Sequence, residues 1–342
     1  MIFLYGIIKG RDPKLKMENF ETRGIDQAKV YVLSYKDLQL LISPCYDTFT
    51  GNSLSRETLV SSLIDYQKFL ESVLKTKDVI PFKFGTLVQD EKEVLKLLKI
   101  KYQTFKSLLN LYQGLCEFSV TATWLNSKAV FEALLGEDHE LCELKRKAEV
   151  TQNSTDKIKV GQRLQTVLLS KNKEIDTIIS AAIKKISQDS TSHEKLDDFM
   201  IYHESHLVQK RDTALFYECL EELNQTLNER AKINFHGQVQ FKAIGPLPVY
   251  SFATVFVQRI AKADLEKAQS LLGIGSSSSF EELQKAYTGL MSIFHPDVDP
   301  HHEAKKFEEI RSAYKLLSEC YKDAKIFSRD EDYMGVEIKK AD

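Results

Sequence analysis

Five cysteines are spread through the 342 residues, at Cys45, Cys116, Cys142, Cys219 and Cys320, and no two form a C-x-x-C pair. An odd, scattered set excludes a disulfide framework and a paired-thiol metal knuckle, and it reads as reduced, structural thiols in a cytoplasmic protein. Long apolar runs are also missing, since none reaches the roughly 18–20 residues that cross a bilayer. Residues 1–8 are apolar at once, but no basic segment precedes them and no small-residue cleavage site follows. They read as a buried first strand rather than a leader. Neither sign of charge dominates: 47 Lys and Arg against 49 Asp and Glu leave a net charge of −2. That gives no electrostatic ground for nucleic-acid or membrane-surface binding. There is no glycine-rich phosphate loop, no Gly-x-Ser-x-Gly elbow and no carboxylate pair with a defined environment. The expectation is a protein that is not an enzyme and holds no cofactor.

What is present is a mixture of strand and helix patterns long enough for two or three domains. Residues 2–8, 29–34 and 38–43 are β-rich, and Pro44 cannot continue a ladder. From Arg56 the period becomes helical, with Leu59, Val60, Leu63, Ile64, Leu70, Val73 and Leu74 expected on one inward face. A second helix is expected to carry Val94, Leu98, Tyr102, Phe105, Leu109 and Tyr112, with Gly114 as its cap. Residues 117–124 alternate Phe118, Val120, Ala122 and Trp124 with Ser119, Thr121 and Thr123, the mark of a half-buried strand. A charged helical insertion follows near 137–190, then a strand over 198–208, a helix over 213–229 and a strand running from Phe235 through Ala243. That order predicts a ferredoxin-like α+β domain. After Phe252 the pattern becomes purely helical. Ser279-Phe280-Glu281-Glu282 has the form of a capping box that opens a helix.

Four segments occur in order along residues 1–255. They are Tyr5-Gly6-Ile7; Pro81-Phe82-Lys83-Phe84-Gly85-Thr86; Gly114-Leu115-Cys116-Glu117-Phe118-Ser119-Val120; and Gly245-Pro246-Leu247-Pro248-Val249-Tyr250-Ser251-Phe252. Together they resemble the gas-vesicle GvpF/GvpL family. Leu247 stands where that family usually has an aromatic residue, and Val249 where it has a further proline. Residues 265–323, with His295-Pro296-Asp297 between two amphipathic helices, resemble a J domain.

The two resemblances imply an α+β protein in three parts: an N-terminal α+β domain over 1–114, a ferredoxin-like domain over 115–255, and an all-α J-like helical module over 256–328 followed by a tail over 329–342. They imply a gas-vesicle accessory protein of the vesicle and the cytoplasm. Its partners would be the small GvpA-type shell protein and other accessory proteins, with an ATP-driven heat-shock chaperone as a further partner. In J domains the His-Pro-Asp loop contacts that chaperone, which points to His295, Pro296 and Asp297, with Lys285 on the helix before them. That helix carries Glu281 and Glu282 against a single lysine, whereas J domains are usually basic there. Pro81, Phe82, Phe84, Gly85, Gly245, Pro246, Pro248, Tyr250 and Phe252 are the family-motif candidates for partner contact. Filling the core is the simpler role for their aromatic rings. A general co-chaperone is the alternative function.

The histidines offer little for a metal. His295, His301 and His302 with Asp297 and Asp299 lie on a loop without ligand spacing. His203 and His206 point to opposite faces of a regular strand.

Overall fold

β-Branched and aromatic residues dominate the opening strand, and seven of its eight residues are buried. The computed structural model describes residues 1–10, 23–45, 55–230, 238–275, 278–294, 304–322 and 333–339. It divides into two units, one of residues 1–72, 79–110 and 255–339, the other of residues 73–78 and 111–254.

In the first unit β1 (Ile2–Lys9) is central, with β2 (Tyr31–Tyr35), β3 (Leu38–Pro44), β4 (Val79–Pro81) and β5 (Leu87–Val88) around it. The order is β2-β3-β1-β4, with β5 also paired to β1. Ile7 stands opposite both Leu40 and Ile80. Helix α1 (Arg56–Leu74) packs through Tyr66 and Phe69, which meet the ring of Tyr5.

The inward face of α1 differs from the sequence expectation. Ser62, Tyr66, Phe69, Leu70 and Val73 are buried, while Leu59, Val60, Leu63 and Ile64 are exposed. Leu70, Val73 and Leu74 are inward as expected. Leu59 and Leu63 lie seven residues before Tyr66 and Leu70, on nearly the same face, and are exposed because the first turns of α1 are open almost all round. The single second helix expected from the sequence is two, α2 (Glu91–Ile100) and α3 (Tyr102–Leu111), because Lys101 leaves helical geometry between them. Asp90 caps α2 by accepting the Glu93 amide at 3.0 Å.

The second unit is a four-stranded antiparallel sheet ordered β7-β8-β6-β9, formed by β6 (Leu115–Trp124), β7 (Asp189–Ser192), β8 (Met200–Gln209) and β9 (Val239–Leu247). With a helical crossover after β6 and another after β8, this is the ferredoxin-like arrangement. The first crossover is long: α4 (Ser127–Glu137), α5 (His139–Thr151) and α6 (Ser154–Ile183). Only the second half of α6 covers the sheet, through Leu168, Ile175, Ile179 and Ile183 and a 2.7 Å bond from Trp124 Nε1 to Asn172. Arg163 ties its first half to Asp138 and Glu140 at 2.7 and 3.0 Å. The second crossover is α7 (Thr213–Gln225), whose Phe216 stacks on Phe118. The expected strand through Phe235 begins only at Val239, and residues 231–237 lie outside the described residues.

A short helix α8 (Tyr250–Ala253) closes this unit. Beyond it the chain is not purely helical, as the sequence had implied. Val255, Val257 and Ile260 belong to a strand, β10 (Thr254–Ile260). Three helices follow, α9 (Lys262–Leu272), α10 (Phe280–Phe294) and α11 (Ala304–Lys322), and then a last strand, β11 (Tyr333–Lys339), which pairs with β10. The helices share a core of Leu265, Leu272, Leu283, Ile310 and Leu317, and Tyr287 stacks on Tyr314 at 3.9 Å.

Candidate functional site

The two proline-bearing segments singled out in the sequence turn out to be parts of the framework. Pro81 pairs with Gly6 at the end of β4. Phe82 is fully buried; its amide donates to the Tyr5 carbonyl at 2.9 Å, and its own carbonyl accepts the Tyr66 hydroxyl. Phe84 is half-buried against Phe3 and Tyr66. Gly85 takes φ +84°, in a turn closed by Thr86 on the Lys83 carbonyl, and side chains other than glycine rarely adopt that angle.

At the end of β9, Gly245 passes so close to β6 that an added Cβ would lie 2.5 Å from the Phe118 ring and 2.8 Å from the Glu117 carbonyl. The Gly245–Pro246 peptide is cis. Pro246 is exposed and Pro248 buried. Tyr250 is half-buried, and Phe252 is buried with its carbonyl accepting from Tyr112 at 3.1 Å.

Between this strap and the sheet sits a group of residues that the sequence did not single out for chemistry. Glu117 is 2% exposed. Its carboxylate accepts the Ser251 amide at 2.8 Å, the Ser251 hydroxyl at 2.7 Å and the Ser205 hydroxyl at 3.0 Å. On the far side Ser205 Oγ meets His193 Nε2 at 2.8 Å. Burial pushes the Glu117 carboxyl above its ordinary value, and the three hydrogen bonds pull against that shift. The order of the groups is wrong for a nucleophilic triad, because carboxylate and imidazole both end on one hydroxyl instead of forming a relay. With Glu117 and Ser205 both buried, no substrate atom reaches them. The cluster anchors the strap to the sheet. Its one legible signal was Glu117, the single charged residue of its strand.

On the helix-covered face of the same sheet, Tyr202 donates to Glu204 at 2.8 Å and lies 2.9 Å from His206 Nε2. That network assigns the proton to Nε2 and leaves the buried Nδ1 without a hydrogen-bond partner. Burial accordingly lowers the His206 pKa to about 4. His203 lies on the opposite face, 4.9 Å from the His193 ring. Among the described residues no group of three or more His, Cys, Asp or Glu is arranged to hold a metal.

In the helical module the capping box forms as expected. Ser279 Oγ accepts the Glu282 amide at 3.2 Å, and the Glu282 carboxylate accepts the Ser279 amide at 2.6 Å. Lys285 is exposed in α10 and lines a shallow groove of about 500 Å³ with Glu281, Gln284, Thr288, Gly289 and Ser292. His295, Pro296 and Asp297, like Asp299, His301 and His302, lie outside the described residues.

The fold is thus a mixed α+β body that carries a C-terminal three-helix module. Residues 1–254 match the family model of gas vesicle synthesis protein GvpL/GvpF, and residues 269–325 match that of the DnaJ domain. The chain belongs to the GvpL/GvpF family and carries a C-terminal DnaJ domain.

Gas vesicle protein F of Nostoc sp. (strain PCC 7120) is 24% identical over 69% of this chain and 93% of its own length, and that of Dolichospermum flosaquae is 22% identical over the same shares. The crystal structure of gas vesicle protein GvpF from Microcystis aeruginosa has the same fold, with a TM-score of 0.57 at 20% identity, covering 73% of this chain and 97% of that one. The chaperone protein DnaJ of Bacillus licheniformis is 42% identical over 55 residues, which are 16% of this chain and 15% of that protein.

Proposed function

We propose that this protein is a gas-vesicle assembly factor that grips the small apolar shell subunit and brings an ATP-driven heat-shock chaperone to the same client. The reading is supported by the family of the body, by the DnaJ domain fused to it, and above all by one surface. Leu59, Val60, Leu63 and Ile64 on the first turns of α1 are each 44–48% exposed and adjacent at helical spacing. They present on the order of 300 Å² of contiguous apolar area, the scale of a functional patch. A stable self-dimer needs about 800 Å² per partner, so the patch suits a short apolar segment of a client better than a second copy.

Burying it against an equal area yields roughly 15 kcal/mol gross, and association costs on the order of 4–15 kcal/mol. The result is a weak, reversible grip, as needed to shield a β-prone subunit from aggregation and release it at a growing shell. Other accessory proteins, the vesicle and the surrounding cytoplasm are the setting this reading gives it. Among the described residues, no helix is long and apolar enough to cross a membrane.

The test is co-purification of the chain with shell subunit. Leu59→Asp with Leu63→Asp should lower recovery at least about tenfold, a loss of about 1.4 kcal/mol or more, with little change in melting temperature because both residues are already half in water. Undiminished recovery would remove α1 as the grip. A general co-chaperone is the second reading, favoured by the intact helical core and capping box of the module. It predicts many clients and stimulation of the chaperone ATPase that Asp297→Asn abolishes.

A further inference from the structure

The two family matches leave residues 255–268 and 326–342 unassigned. Those stretches hold nearly all of β10 and the whole of β11. β10 is not a free linker. Val255 forms a parallel bridge with Phe82, and its carbonyl accepts the Lys83 amide at 2.8 Å. Its far end enters the helices directly, since Ala261 already accepts the first amides of α9 and Ile260 packs on the helical core.

β11 returns from α11 to lie beside β10. The Phe256 ring holds a cation from each side of this arrangement, Lys83 Nζ at 4.9 Å and Lys339 Nζ at 4.7 Å. Lys315 of α11 and Glu337 of β11 add an ion pair at 3.8 Å. The helices are therefore tied at both ends to one ribbon, and that ribbon is hydrogen-bonded to the Pro81–Thr86 segment of the N-terminal sheet.

We infer that β11 is a C-terminal clasp: by pairing with β10 it fixes the J-like module on the N-terminal domain. A module on a single tether samples many orientations, whereas two paired strands set one. Taken with the assembly-factor reading, on which this consequence rests, the clasp holds the chaperone-recruiting helices in a set position relative to the α1 grip.

Hydrogen exchange at the amides of residues 255–260 tests the clasp in the full chain, in a chain ending at Arg329, and in the full-length double variant Gly335→Pro with Val336→Pro, which removes a ladder donor whichever of the two adjacent amides faces β10. The expected result is slow exchange in the full chain and at least about tenfold faster exchange in both variants, with the amides of α9, α10 and α11 still protected. Unchanged protection of 255–260 in either variant overturns the clasp. Loss of protection in the helices of both variants also overturns it, because β11 would then be part of the module's core. Recovery of shell subunit is read on the same samples. Failure of the full chain to bind it, with the exchange result as expected, removes the assembly reading and leaves the clasp standing.

Discussion

Glu117 and His206 lie on opposite faces of one sheet and respond to acid in opposite directions. Burial raises the Glu117 carboxyl above its ordinary value of about 4.3. The native state therefore holds that proton more tightly than the unfolded chain. Its contribution to stability is full below pH 4.3 or so and is lost as pH rises through the raised value. Thermal melts between pH 4 and 7 should show Glu117→Gln gaining on the wild type as pH rises. Glu117→Ala should cost about 1–3 kcal/mol at any pH, because it leaves the Ser251 amide buried without an acceptor.

His206, lowered to about 4, works the other way. Its contribution is present above the ordinary value of about 6.5 and is lost as pH falls toward 4. His206→Gln should flatten the acid limb of the melting curve, and an unchanged limb would assign acid lability to other groups. Neither residue was legible as part of a cluster. Glu117 appeared only within a family segment, and its partners come from elsewhere in the chain, Ser205 with His193 from the β7–β8 pair and Ser251 from after β9, so they meet only once the sheet has formed.

Elements show where local pattern suffices and where it fails. The capping box was readable because its two partners are three residues apart, and both bonds form. Ser279→Ala should cost about 1 kcal/mol of α10 stability, seen as faster exchange in the first turns of α10, and no change there would deny the cap a role. The ferredoxin-like domain was readable from the order of its periods. The face of α1 was readable only in part. Leu70, Val73 and Leu74 are inward as expected, but Leu59 and Leu63 share nearly the same face and stay exposed in the first turns, because periodicity gives the angle of a residue and not where along the helix its cover ends. β10 and β11 were missed for a related reason. A lone ribbon of about seven residues per strand has little alternation of its own and is held by Phe82 and Phe256, contacts that sequence spacing does not reveal. The proline segments were legible as landmarks, and their chemistry as backbone stiffeners and core aromatics follows from where the strands end.

At the scale of the whole chain, a GvpL/GvpF-family body and a DnaJ domain share one polypeptide, and the account gives them one client. The most direct test is expression with a gas-vesicle gene cluster of four forms: wild type, residues 1–254 alone, the α1 double aspartate variant and His295→Gln. The account predicts that wild type, residues 1–254 and His295→Gln all recover the small shell subunit, that the α1 variant does not, and that only wild type and the α1 variant recover the heat-shock ATPase. Recovery of the ATPase by wild type with no shell subunit in any form would contradict it, and the co-chaperone reading would take its place.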